Sequence, residues 1–243
     1  MTTNAVKIHL LAFGAHPDDV ELSAGGTMAI HADQGMKTGI IDLTRGELGT
    51  RGTPEIRKAE ADAAAKILGL TIRENLGFKD GFMAIDEPHL LPIIQKIRHY
   101  KPDIVLANAV EDRHPDHGIG AALVSRAAFL AGLSKITTFH EGQMQEAWRP
   151  GLLLHYIQFH MLHPNILVDI SEGMERKMKA IQAYGSQFYQ PGSTEPITPI
   201  ATREFMESLH GRAADLGKTM GVPYAEGFTS AKTLGVKSLS QLF

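Results

Sequence analysis

The chain has no cysteine, so disulfides and thiolate metal centres are excluded, and any bound metal must be held by histidine and carboxylate. It also has little excess charge: 24 Lys and Arg against 27 Asp and Glu give a formal net charge of −3. No basic field exists to attract nucleic acid or anionic lipid, and neither is expected as a partner. No apolar run approaches the roughly 20 residues that span a bilayer. The N-terminus shows no charged segment leading into a long apolar core, so a cytoplasmic protein is the expectation. Internal repeats, low-complexity tracts and linkers are missing too, and residues 1–243 are read as one domain.

What is present is an alternation of strand and helix. Lys7–Phe13 reads as a strand, residues 20–35 as a helix, and Thr38–Leu43 as a second strand. After a Gly-rich loop at 44–52, Thr53 is placed as an N-cap with Pro54 in the first helical position. That helix runs to Leu68, and Gly69 stops it. Ile72–Leu76 is a short strand, residues 88–100 a helix, and Asp103–Ala109 a buried strand; Pro115 opens a helix to Ala131. Leu152–Phe159 and Ile166–Ile170 read as strands. Residues 172–188 and 202–220 read as helices, separated by a Pro/Gly-rich loop at 189–199. This order predicts an α/β fold with a mostly parallel sheet and helices on both faces. Met174, Met178, Ile181 and Phe188 form a stripe at helical spacing and are assigned to the core. Gly25 and Gly26 are attributed to close helix–sheet packing, since each costs up to about 1 kcal/mol in a helix.

Two stretches carry chemistry. The first, Gly14 to Asp19, puts His16, Asp18 and Asp19 at the end of the first strand and the start of a helix. Ligands of open α/β sheets bind outside the carboxyl ends of strands. Adjacent carboxylates repel, which suggests a cation or a proton-transfer task, while helix capping by Asp18 or Asp19 is the simpler alternative. The second stretch, Asp112 to His117, follows another strand and places His114 and His117 one helical turn apart. If both strand ends face one crevice, their His and Asp groups supply the donors of a catalytic zinc site with an open position. A dinucleotide site would need a G-x-G-x-x-G turn, and His-Pro-Asp-Asp in its place would repel a pyrophosphate.

His16-Pro-Asp-Asp19 paired with His114-Pro-Asp-His117 resembles the PIG-L/LmbE-like family of zinc-dependent N-acetylglucosamine deacetylases. Thr44 to Thr53, Arg57 to Ala61, Ala183 to Phe188 and Tyr224 to Phe228 resemble its bacillithiol-biosynthesis branch, which deacetylates N-acetylglucosaminyl-malate. The resemblance implies a Rossmann-like three-layer fold and a homo-oligomer, a hexamer in close relatives. It also implies His16, Asp19 and His117 as metal ligands, Asp18 as general base, His114 as stabiliser of the charged intermediate, and Asp116 as the group that orients His114. Arg57 matches a family arginine that reaches toward substrate. Arg51 stands beside it in the sequence as a second candidate for binding substrate carboxylates, with a solvated loop charge as the alternative. Some relatives place a tyrosine near the developing oxyanion; Phe205 falls there in this chain, and Tyr184 is the nearest candidate in a matched motif. Zinc is the implied ion, and His/Asp sites also accept Fe²⁺, Co²⁺ or Mn²⁺.

Three rivals to the malate substrate belong to the same chemistry: free N-acetylglucosamine, a chito-oligosaccharide and a mycothiol precursor. A rival of another class is a non-catalytic sugar- or nucleotide-binding Rossmann domain. His155, His160 and His163 cluster in sequence, but strand alternation separates His155 from His160 and argues against a second metal site.

Overall fold

The computed structural model describes residues 6–238 and residue 240. Strands β1 (Leu10–Gly14), β2 (Thr38–Thr44), β3 (Ile72–Phe78), β4 (Ile104–Ala107), β7 (Leu152–Tyr156), β8 (Ile166–Asp169) and β9 (Ala225–Thr229) form one seven-stranded sheet in the order β3-β2-β1-β4-β7-β9-β8. A separate hairpin is made by β5 (Phe139–His140) and β6 (Gln143–Met144). Pairings β1–β2, β1–β4, β2–β3 and β4–β7 are parallel, whereas β9 runs antiparallel to both β7 and β8. The sheet is therefore mostly parallel, as the alternation of elements predicts. Its first strands read as continuous apolar runs because both faces are covered.

Helices α1 (Asp19–Asp33), α2 (Pro54–Leu68), α5 (Met174–Gln182) and α6 (Arg203–Met220) pack on one face. Helices α3 (Glu87–Tyr100) and α4 (Pro115–Ala131) cover the other. Each face has its own core: Leu10, Ala12 and Ile40 point into the first, Leu11, Phe13 and Ile41 into the second, as strand alternation requires. The Met174, Met178, Ile181 and Phe188 stripe lies in the first core. At Gly26 a Cβ would come within 2.7 Å of the Ile170 side chain, so the helix–sheet approach there needs glycine.

Differences from the sequence reading that bear on the site include two boundaries and one added strand. The helix expected over 172–188 ends at Gln182, and Tyr184 to Phe188 continue as a turn whose aromatic rings stay buried. The strand expected to reach Phe159 stops at Tyr156, which frees Gln158 and Phe159 to face the crevice at its end. Strand β9 has no counterpart in the sequence reading, because Ala-Glu-Gly lacks the β-branched pattern. Its Glu226 is buried, bonded to Lys177 at 2.6 Å and to the Gly26 and Thr27 N–H groups at 3.0 and 2.7 Å. That charge is held by helix partners, which a strand pattern does not reveal.

Candidate active site

Five parallel strands end on the same edge of the sheet, and the turns beyond them build one cavity of about 440 Å³. The turn after β1 contributes His16, Asp18 and Asp19; the one after β2 contributes Leu48 and Gly49. Asp80 follows β3, Asp112, His114 and His117 follow β4, and Gln158 and Phe159 follow β7. The two sequence motifs thus meet in one crevice. Their local geometry follows from helix starts: His16-Pro17-Asp18 leads into α1, and His114 is the N-cap of α4, with Pro115 in the first turn.

His16 and His117 each approach Asp19, at different oxygens of its carboxylate. His16 Nδ1 lies 3.6 Å from Asp19 Oδ2, and His117 Nε2 lies 3.1 Å from Asp19 Oδ1. Bonds of about 2.0–2.1 Å at tetrahedral angles put neighbouring donors roughly 3.3 Å apart. His114 also brings a ring nitrogen within 4.8 Å of ring nitrogens of His16 and His117. The remaining polar atoms are held from behind. Asp112 bonds His117 Nδ1 at 2.6 Å, and Asp80 lies 3.0 Å from His16 Nε2. Asp19 accepts from the Asn108 and Gln158 side-chain amides at 3.0 and 3.1 Å. Carboxylate partners of this kind fix ring orientation and basicity in metal sites. His16, Asp80 and Asp116 form a second acidic triad. Its carboxylates already accept from the Leu48 and Gly81 N–H groups at 3.0 and 2.8 Å, which suits them to buttress His16 from its far side.

The electrostatics are those of a site built around positive charge. Burial opposes protonation of His117, but the Asp19 and Asp112 carboxylates prevail and lift it to about 9. Burial likewise opposes a charge on His16, and bonds to Asp116, Asp19 and Asp80 outweigh it, so its pKa is raised. Asp19, despite burial, is held well below the ordinary carboxylate range by His117 and His16. Its neighbour goes the other way: burial raises Asp18 to about 7, against the pull of Arg57.

Asp18 occupies the N-cap position of α1 with φ 113°, in the left-handed region, and makes no side-chain cap. The capping alternative therefore does not describe Asp18. Its carboxylate lines the cavity and accepts from Arg57 Nη2 at 2.9 Å. Arg57 also donates to the Pro17 and Gly46 carbonyls, and a Cβ at Gly46 would lie 2.2 Å from Nη1. Glycine at 46 is what lets the guanidinium through. Glu60, one turn further along α2, accepts from the Ser186 N–H and hydroxyl at 2.7 and 2.8 Å.

Other expectations shift. The Asp116 carboxylate lies 3.3 Å from His16 Nε2 and makes no side-chain hydrogen bond to His114, the ring that the resemblance has it orient. The reason is local: as N-cap, His114 turns Nδ1 back to accept from the Asp116 backbone N–H at 3.3 Å. Burial, with the His16 and His117 charges, lowers the pKa of His114. With Nδ1 so engaged, Nε2 is the ring atom left to donate into the cavity. Arg51 is neither solvated nor in the cavity wall: it is buried, and Nη2 donates to Ser193 at 3.0 Å. Tyr184 is fully buried behind the site with its hydroxyl on Glu21, whereas Phe205 lines the cavity. His155 is buried and bonds the Asn108 carbonyl and Ser125, while His160 and His163 are exposed. Asp80, Asn108 and Gln158 escape the sequence reading. Each is a single polar residue beyond a strand, and that position is the only signal for it.

Residues 11–128 match the PIG-L family, described as GlcNAc-PI de-N-acetylase. The chain is 31% identical to a diacetylchitobiose deacetylase of Thermococcus kodakarensis, covering 92% of this chain and 83% of the relative. A 4-oxalmesaconate hydratase of Pseudomonas putida is 26% identical over 93% of this chain and 90% of its own. A probable N-acetyl-alpha-D-glucosaminyl L-malate deacetylase 2 of Bacillus anthracis is 26% identical over 81% and 93%. Among solved structures, a conserved protein of Thermus thermophilus superposes with a TM-score of 0.84 at 38% identity, covering 95% of this chain and 98% of the other.

Proposed function

The chain belongs to the PIG-L family, and from that membership we propose that it is a metal-dependent deacetylase of an N-acetylglucosaminide, with N-acetylglucosaminyl-malate as substrate. The observation that supports the reading is the convergence of His16, Asp19 and His117 in one cavity, each histidine within 3.6 Å of an Asp19 oxygen, with the Asp18 carboxylate free of capping duty beside them. His16, Asp19 and His117 are assigned as the metal ligands, and zinc as the ion. A divalent ion held there would supply Lewis acidity, lowering the pKa of a water and polarising the amide carbonyl.

The protein groups then have separate tasks. Asp18 accepts the proton of the attacking water; a carboxyl whose pKa burial brings near neutrality is matched to that task. Arg57 keeps Asp18 ionised and aimed. His114, half-buried in the cavity wall, donates from Nε2 toward the carbonyl oxygen as charge builds there. The departing amine takes a proton from Asp18, which gained one in the first step. Asp116 steadies His16, and the apolar side chains of Leu22, Phe159 and Phe205 exclude bulk water from the remaining wall.

The similarity to a hydratase favours a second reading, since a held water and a base can add across a carbon–carbon double bond as well as attack an amide. Incubation of the metal-loaded enzyme with N-acetylglucosaminyl-malate and with an unsaturated dicarboxylate separates them. Released acetate with a new primary amine is the expected outcome; hydration of the dicarboxylate with no acetate would overturn the deacetylase reading.

A further inference from the structure

Arg212 projects from α6 into the cavity wall, and its charge has no counter-ion among the described residues. Nη1 donates to the Gln158 carbonyl and Nη2 to the Leu22 carbonyl at 3.4 Å, and among the described residues no carboxylate stands within ion-pair distance. The two acids whose fields reach it are already occupied. Glu226 is held by Lys177 and two helix N–H groups; Asp112 is held by His117 and the His160 N–H. Burial accordingly lowers the pKa of Arg212 from its usual value.

Arg212 is half-buried, and holding two backbone carbonyls does not require a positive charge there. A neutral amide could make such bonds without the cost of desolvating a guanidinium. Of its five N–H donors, two have these partners, which leaves a fork for a further acceptor. The other cavity arginines differ. Arg57 is bound to Asp18, and Arg113 is exposed at the mouth, stacked 4.8 Å from the Phe159 ring centroid. Leu22, Ile200 and Phe205 line the cavity along with Arg212, while Lys177 and Glu226 share a second, small pocket with it, and an ion pair flanked by apolar side chains is stronger than one at the rim.

We propose that Arg212 is the specificity-determining anchor for a carboxylate on the aglycone, so that the cavity selects acid-bearing N-acetylglucosaminides over neutral ones. The proposal rests on the deacetylase reading for its substrate, but the anion subsite it names can be tested without turnover.

The experiment compares Arg212→Gln with the parent on two substrates, N-acetylglucosaminyl-malate and methyl N-acetylglucosaminide. A charge-assisted contact of this type predicts that the ratio of kcat/KM for the acid-bearing over the neutral glycoside falls by about 10- to 150-fold. An unchanged ratio, with both substrates losing equally, would mean that Arg212 only steadies Gln158 and would overturn the proposal. Binding of free L-malate to the metal-loaded parent, followed by calorimetry, decides the point independently. Saturable binding lost in Arg212→Gln supports the anchor, even if neither glycoside is turned over and the deacetylase reading fails; no binding in the parent overturns it. Should the glutamine variant not fold, the parent alone suffices: L-malate should displace a bound dicarboxylate probe such as succinate, and its dimethyl ester should not. Equal displacement by both would refute a carboxylate subsite.

Discussion

Replacing Arg57 with alanine separates a residue that tunes the base from one that reads the substrate. Its guanidinium lies 2.9 Å from Asp18 Oδ2 in a buried setting, and it restrains a burial effect that still leaves Asp18 raised to about 7. An opposite charge at such range typically lowers a carboxyl pKa by about 1–3 units. Removing it should displace the acid limb of kcat/KM upward by that amount. The sign is fixed: Asp18 acts ionised, so activity is lost as pH falls through its pKa, and a higher pKa moves that loss to higher pH. For a limb starting near 7, the ionised fraction at pH 7 falls from about one half to between roughly one tenth and one thousandth, a loss of about 5- to 500-fold. The loss should be the same for malate-bearing and neutral glycosides and should recover in alkaline buffer. Stopped assays of acetate release from about pH 5 to 10 on both substrates would measure it. A loss confined to the malate glycoside, with the limb unmoved, would refute the reasoning and return Arg57 to substrate recognition.

Asp18→Asn should retain the metal, measured by elemental analysis, while kcat falls by about 10²–10⁴-fold, since the amide keeps the shape but takes no proton. His117→Ala should bind far less metal; full occupancy with unchanged affinity would remove His117 from the ligand set. Metal affinity in chelator-buffered titrations should rise about tenfold or more per pH unit up to about 9, because the ion must displace the proton that Asp19 and Asp112 hold on His117. Arg51→Ala should leave KM nearly unmoved and lower the melting temperature, as a buried side chain bonded to Ser193 outside the cavity would.

The two motifs are legible in the sequence because their chemistry is local. His16 to Asp19 and His114 to His117 each sit on one strand–helix turn, so spacing alone places their side chains. The parallel sheet is legible for a similar reason, since apolar runs alternate with capped helices. Partners chosen across the chain are not. Asp80 meets His16 over 64 positions, and Gln158 meets Asp19 over 139. Arg51 reads as a substrate contact or a solvated loop charge because its loop is polar, yet residues 186–193 fold over it. Adjacency misleads at Asp116: one backbone turn sends its carboxylate to the ring of His16 instead of to its neighbour.

The cavity is assembled from two unequal stretches of chain. Every group assigned to chemistry, from His16 to His117, lies within residues 11–128, the span that matches the family. Much of the remaining wall comes later, in Phe159, Ile200, Phe205 and Arg212. In the proposed reading, reaction and preference fall on different segments, joined through Gln158, whose amide touches Asp19 while its carbonyl holds Arg212. Such a layout lets a lineage retarget its enzyme by recombining the later segment while the bond-breaking apparatus is inherited intact. Gln158 is the junction that any such graft must preserve.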